Sequence, residues 1–180
     1  MSLKHAILGF LSVAPMTGYT LRKNMDASVV HFWPADQTQI YRTLSKLVDD
    51  GLVDVQVIHQ DGKPDQREHH ILPEGLAELE TWLTSPPAYV PAREAFLVRV
   101  FFSGRLPPEQ IHRLLEERAA EAHKLLEVLR RVEQEMRTRL TGQQISLAQR
   151  LRLATLANGI IHAQAEVDWI ADTHRHLRDQ

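Results

Sequence analysis

The stretch from Asp36 to Leu52, D-Q-T-Q-I-Y-R-T-L-S-K-L-V-D-D-G-L, constrains this chain more than any other. Ile40, Leu44, Leu47 and Val48 recur at helical spacing, so their side chains share one stripe. Asp36 can accept from the first free backbone N–H groups, and Gln39 can reach back to it, the pattern of a capping box. Gly51 falls where a left-handed C-terminal cap is needed, because it has no Cβ to clash. The spacing predicts a helix of about four turns with both ends specified.

Opposite the apolar stripe lie Thr38, Arg42, Ser45 and Asp49, with Gln39 and Lys46 on one flank and Tyr41 on the other. Amides, hydroxyls and cations are the groups that read base edges and hold phosphates in a major groove. Plain solvation would suit the same face, and the residues after Gly51 decide between the two. Val53, Val55 and Val57 alternate as in a half-buried strand, and Asp61-Gly62-Lys63-Pro64-Asp65 is dense in turn formers. Gln66–Leu72 then returns as a second strand with Arg67 and His69 on one face. A helix succeeded at once by a hairpin with a basic tip is the layout of a winged helix. There the helix enters the major groove, while the hairpin tip, here Lys63 and Arg67, tracks the adjacent backbone.

Charge argues for economy in that interface. The chain carries a net charge of −2, and residues 1–72 hold seven Lys/Arg against eight Asp/Glu. DNA affinity comes largely from phosphate neutralisation, so the basic surface must be local and a monomer should bind weakly. A dimer presenting two such surfaces is close to a requirement. No run of 18 apolar residues exists to span a bilayer, and the short apolar run at the N-terminus reads as a helix rather than a signal peptide. With no cysteine, disulfides and Cys-based zinc sites are excluded, and the reducing cytoplasm is the expected compartment.

Upstream, a first helix is expected with Leu3, Ile7, Leu8, Phe10 and Leu11 inward and Lys4 outward. Thr17 is placed to cap a second helix through Met25, with Tyr19, Leu21 and Met25 as candidates for its buried side. The connection from Val29 to Ala35 is unusually apolar for a loop: Phe32 and Trp33 either plug the core or line a ligand pocket or dimer surface. Glu74–Leu83 reads as a helix burying Leu76, Leu79, Trp82 and Leu83, and the Pro-rich Ser85–Pro91 marks a domain junction.

These pieces occur in an order that carries a resemblance. L-K-H-A-I-L-G-F-L (3–11), M-T-G-Y-T-L (16–21), F-W-P-A (32–35), Q-I-Y-R-T-L-S-K-L (39–47), G-L-V (51–53), the G-K-P-D-Q-R wing and P-E-G (73–75) together resemble the PadR family of transcriptional regulators. The likeness runs through the N-terminal half, and the long helical tail is similar to the subgroup with a C-terminal dimerisation region. It implies a winged-helix dimer on promoter DNA, often a repressor released by a small effector such as a phenolic acid. The chain departs from the family pattern at the second wing strand, where His69-His70 stand in the region of a usual Tyr.

The C-terminal half supports a dimer independently of that likeness. Ala92–Phe102 is a mainly apolar helix, and Leu106-Pro107-Pro108-Glu109 starts a long one to about residue 140. Ile111, Leu115, Ala122, Leu125, Leu129, Val132 and Met136 form a coiled-coil seam in which Arg118 takes the one core place that is not apolar. Ser146 and Gln149 make a second capping box for a last helix to about Leu177. That helix has two seams. Leu147, Leu151, Ala154, Ile161, Ala165 and Trp169 form one; Leu153, Leu156, Ile160, Val167, Ile170 and Leu177 form the other. A single partner helix covers only one, so a second subunit is the expected cover for the other, an intramolecular bundle being the competing arrangement.

Ten histidines invite a metal or catalytic reading, but neither His59, His69 and His70 nor Asp172, His174 and His176 has an established ligand spacing. No phosphate loop or nucleophile elbow occurs, so neither an enzyme nor a cofactor is expected. The expected fold is mainly α with a small β-hairpin wing: a winged helix-turn-helix head in residues 1–85 and an α-helical dimerisation arm in residues 92–180. The expected partners are double-stranded operator DNA, a second copy of the chain and, from the resemblance, a small aromatic effector. DNA contacts are assigned to Thr38, Gln39, Tyr41, Arg42, Ser45, Lys46, Lys63 and Arg67, and effector contacts to Phe32, Trp33 and Trp169. The alternative is a dimeric helical module whose winged head binds protein rather than DNA.

Overall fold

A computed structural model describes residues 3–29, 32–59, 62, 65–87 and 93–178. The chain divides into two compact units, Met1–Pro91 and Ala92–Gln180. In the first, the order is α1 (Leu3–Leu11), β1 (Met16–Thr17), α2 (Gly18–Asp26), α3 (Gln37–Asp49), β2 (Val53–Ile58), β3 (Gln66–Ile71) and α4 (Pro73–Thr84). The three strands form one antiparallel sheet in the order β1-β3-β2, with Met16 opposite His69 and Val55 opposite His69 on the other side. This is the winged helix-turn-helix expected from the sequence. Strand β1 is an addition to that expectation: two residues carry no periodicity, and they become a strand only by pairing with Glu68 and His69.

The core gathers Ile7, Leu8 and Leu11 of α1, Leu21 and Met25 of α2, Ile40, Leu44 and Leu47 of α3, Val53 and Leu79. Val29, Trp33 and Ala35 pack against it, so the apolar connection before α3 lies on the core with Trp33, while Phe32 is half exposed. Four residues of the head expected on a buried side are instead exposed. Tyr19 is 71% exposed, Leu83 65%, Val57 52% and Leu76 40%. Helix α2 turns Gly18, Leu21 and Met25 inward, and α4 turns Gly75 and Leu79 inward with Trp82 beside them. In both helices a glycine leads the buried stripe and lets a neighbour come close: a Cβ at Gly18 would meet the Tyr41 ring 2.7 Å away. Lys4, expected outward, is half covered and ion-paired to Glu78 at 2.6 Å.

In the second unit, α5 (Ala95–Phe102) and a 3-10 turn (Ser103–Arg105) lead into α6 (Pro108–Leu140), which packs on α7 (Leu147–Arg178). Leu115, Ala122, Leu126 and Leu129 are buried on α6, and Leu156, Ala163 and Ile170 on α7. Leu126 replaces Leu125, which is 39% exposed, because the seam steps four residues rather than three after Ala122. The polar place in the seam is filled as a pair: Arg118 Nε donates to Glu166 Oε1 at 2.6 Å and its guanidinium lies over Phe96, 5.4 Å from the ring centre. That bond holds the Arg118 pKa above its ordinary value. Ser146 and Gln149 close the second capping box. The tail histidines hold other partners: His174 faces His112 with Nδ1 atoms 3.0 Å apart, and His176 Nδ1 lies 2.8 Å from the Asp172 carbonyl. Among the described residues no group of three His, Asp or Glu is placed to hold a metal ion.

Candidate nucleic-acid interface

Helix α3 is fixed at both ends. Gln39 N donates to Asp36 Oδ1 at 2.8 Å, Asp36 N donates to Gln39 Oε1 at 3.2 Å, and Gly51 ends the helix at φ 70°. With Ile40, Leu44 and Leu47 sealed in the core, the opposite face must point outward. Thr38, Gln39, Tyr41, Arg42, Ser45 and Lys46 are all exposed on it. Arg42 has no hydrogen-bond or ion-pair partner among the described residues, which leaves its guanidinium fork free. Lys46 lies 3.4 Å from Asp50, and Gln39 spends its carbonyl oxygen on the cap, so only its NH₂ group faces outward. Tyr41 lies on Gly18, which ties α3 to the helix before it.

Between α3, the start of α2 and the sheet is a cleft of about 590 Å³. Tyr19, Thr20, Tyr41, Ser45, Arg67 and His69 are among its walls. The cleft therefore joins α3 to the base of the wing strand, bringing Tyr41, Ser45 and Arg67 onto one concave surface. Lys63, the other assigned wing cation, lies outside the described residues. Tyr19 and Thr20 join this surface without having been expected there; the Gly18–Leu21–Met25 spacing is the signal in the sequence that turns Tyr19 outward.

His69 is the buried polar group of this site, 8% exposed, with no hydrogen-bond partner for Nδ1 among the described residues. Burial pushes its pKa down, a backbone hydrogen bond at Met16 opposes this, and the nearby charges of Arg67 and His70 lower it further. The other wing histidines point elsewhere: His59 Nδ1 is hydrogen-bonded to Asp65 Oδ2 at 3.0 Å, and His70 Nε2 lies 3.0 Å from Glu68 Oε2. The three do not converge. Of the effector candidates, Trp169 meets Phe96 edge to face at 6.2 Å within the second unit, while Phe32 and Trp33 belong to the first.

Residues 7–81 match the PadR-like transcriptional regulator family, and residues 92–178 match the family described as virulence activator alpha C-term. The chain is 38% identical over 86 residues to a probable transcriptional regulator, Rv1176c, of Mycobacterium tuberculosis, a match covering 48% of this chain and 46% of that protein. It is 28% identical over 116 residues to the negative transcriptional regulator PadR of Bacillus subtilis, covering 64% of each. The chain thus aligns with about half to two-thirds of the length of these curated relatives. Bacillus subtilis PadR in complex with operator DNA shares the fold, with a TM-score of 0.83 and 23% identity over 97% of this chain and 98% of that one. The same regulator in complex with p-coumaric acid superposes at a TM-score of 0.79 and 20% identity, over 99% and 96%.

Proposed function

We propose, for a chain that belongs to the PadR-like family of transcriptional regulators, that it works as a homodimeric, effector-responsive repressor on a palindromic operator. The family is one of regulators rather than enzymes. The observation that carries the reading is the outward face of α3: a helix capped at both ends, buried on one side, offers Thr38, Arg42 and Ser45 to solvent on the other. In this reading Thr38, Gln39 and Arg42 face bases, while Tyr41, Lys46, Lys63 and Arg67 hold phosphate or sugar.

Duplication comes from the arm. The seam of α7 formed by Leu147, Leu151, Ile161 and Trp169 is 67, 59, 66 and 37% exposed, while Leu156 and Ile170 on the other seam are buried, Leu156 in a cluster with Leu126 and Leu129 of α6. A second copy is the cover we assign to it, setting two α3 helices about one DNA turn (~34–36 Å) apart. The effector is a small aromatic acid, as bound by Bacillus subtilis PadR, and Phe32, Trp33 and Trp169 are its candidate contacts. It releases DNA by favouring the geometry that does not fit the operator. The protein acts in the cytoplasm.

The test is a salt titration of binding to the DNA upstream of the protein's own gene. Arg42→Ala is expected to cost ~1–3 kcal/mol and to relax sequence preference, and Lys63→Ala to weaken all sequences alike. Equal binding by wild type and both variants removes the assignment. The near balance of charge in the head favours one second reading, in which the winged head binds protein; dimerisation without any salt-dependent DNA affinity would select it.

A further inference from the structure

The two ends of the arm hairpin are held differently. At one end residues 141–146 join α6 to α7 directly. No connection closes the other end, where the start of α6 meets the end of α7, 62 residues apart in sequence. The inner stripe of α7 buries Leu156, Ala163 and Ile170. One turn later it brings His174 where an apolar side chain would continue the stripe, and residues 175–177 beyond it are exposed. His112, half-buried on α6, meets it. The two rings are parallel to within 4°, with centres 5.2 Å and Nδ1 atoms 3.0 Å apart. That centre-to-centre distance is nearly the nitrogen gap plus one ring radius on each side. The rings therefore lie edge to edge, Nδ1 toward Nδ1, and not face over face. An N–H···N bond of this kind needs one nitrogen with its proton and one without.

We infer that His112 and His174 form a clasp on the end of α7 that acid releases. Two neutral rings in complementary tautomers close it. A single imidazolium facing an imidazole closes it too, through a bond that charge strengthens. Two imidazoliums set N–H against N–H and cation against cation, and the clasp opens. The open form holds more protons than the closed one, so falling pH favours it. Imidazole is the side chain whose charge ordinarily changes between pH 5 and 8. The charged groups around the pair suit this device. Glu109 and Glu116 stand about one turn to either side of His112 on α6, where they can pair with it once it turns away as a cation. On α7, Arg175 beside His174 is bonded to Asp172 at 2.8 Å, and His176 Nδ1 lies 3.5 Å from the same carboxylate. Arg99 of α5 and Arg105 of the 3-10 turn line an open hollow with Arg113, and His112 is not in that lining.

The experiment is amide hydrogen exchange of the full-length chain, read by mass spectrometry at about pH 8 and about pH 5, the range over which imidazole ordinarily changes charge. Each rate is compared with the intrinsic rate at the same pH, so that only protection is scored. Peptides covering 171–178 are expected to lose about tenfold in protection at the lower pH, while those covering 156–163 of the same helix keep theirs. His112→Asn separates a switch from a merely structural pair. Its carboxamide can donate to a neutral His174 or accept from a protonated one, so protection of 171–178 should no longer depend on pH. His174→Asn should do the same, and it carries the test if His112→Asn fails to keep the wild-type circular dichroism. His176→Gln, on the exposed side of α7, should respond to pH as wild type does. Equal protection of 171–178 at both pH values in the wild type overturns the inference. So does a loss in both Asn variants that matches the wild type, for then the acid sensitivity belongs to another group. No DNA enters the measurement, so its outcome is independent of the regulator reading.

Discussion

Gly75 offers the sharpest check of how the wing is held. It sits in the first turn of α4, and a Cβ there would fall far inside contact distance of the Leu52 carbonyl oxygen, 3.2 Å from the Leu52 carbonyl carbon and 2.9 Å from Ile71 Cγ1. That carbonyl accepts from Leu72 N at 3.0 Å, the bond that joins the end of α3 to the end of β3. Gly75→Ala must push backbone, which cannot swing away as a side chain would. Overpacking of this kind costs ~1–3 kcal/mol, and weakening the buried bond about 1 more. The better helix propensity of Ala returns about 1. The net loss is about 2 kcal/mol, or roughly 8–16 °C in the melting temperature of a unit this size.

Gly9 in α1 is the control, because a Cβ there meets nothing within 4 Å. Gly9→Ala should therefore gain up to ~1 kcal/mol from helix propensity. Thermal unfolding monitored by tryptophan emission reports on the head, which holds two of the three tryptophans, Trp33 and Trp82. A Gly75→Ala protein that melts with or above wild type, in step with Gly9→Ala, refutes the close approach.

The wing histidine and the outer seam of the arm each give a further check. Since the folded-state pKa of His69 is lowered by burial below the unfolded 6.5, its contribution is complete above pH 6.5. It is lost as pH falls toward the folded pKa, because the unfolded chain takes up its proton first; His69→Gln should flatten the slope of head stability below pH 6.5, measured by urea unfolding, and an unchanged slope counts against a buried neutral imidazole. Ile161, 66% exposed on the outer seam of α7, should be needed for association: Ile161→Glu is expected to give a monomer by sedimentation with helical content retained, and an unaltered dimer would move the interface elsewhere.

Legible in the sequence is whatever a few neighbouring residues specify. The Asp36–Gln39 box, the Gly51 cap and the Ser146–Gln149 box are local chemistry, and each is closed as the residue types dictate. Facing is less legible where a glycine sets it. Apolar type alone turns Tyr19, Leu76 and Leu83 inward, yet the real stripes begin at Gly18 and Gly75, whose lack of a side chain gives no hydrophobic signal. Leu125 and Leu126 divide the seven residues from Ala122 to Leu129 as three plus four or four plus three, and only the packing of α7 chooses. Strand β1 exists solely through its partner. In the site, the outward face of α3 is readable because Ile40, Leu44 and Leu47 fix its opposite; the cleft beside it needs the fold, since it joins residues some 50 positions apart.

The charge balance of the head, seven Lys/Arg against eight Asp/Glu through residue 72, turns from an objection into a constraint once the partners are known. Asp36 is held at the α3 cap by the Gln39 backbone N–H, Asp26 lies 3.5 Å from Arg22, and Asp50 lies 3.4 Å from Lys46. Asp65 and Glu68 face His59 and His70. Arg42 and Arg67 are left with no acidic partner among the described residues, on the outward face of α3 and at the base of the wing. A field so local neutralises few phosphates, and each phosphate neutralised contributes only about 0.9 to the slope of log affinity against log salt. On the proposed reading one head alone should therefore bind DNA weakly. The proposed dimer would make the second contact intramolecular, which raises avidity by ~10²–10⁴ without any new contact. In the proposed dimer the apolar seam on α7 and the sparse charge on α3 would be two halves of one arrangement: the arm would supply affinity that the head lacks, and the pair of heads would bind firmly only where two half-sites stand at a matching spacing.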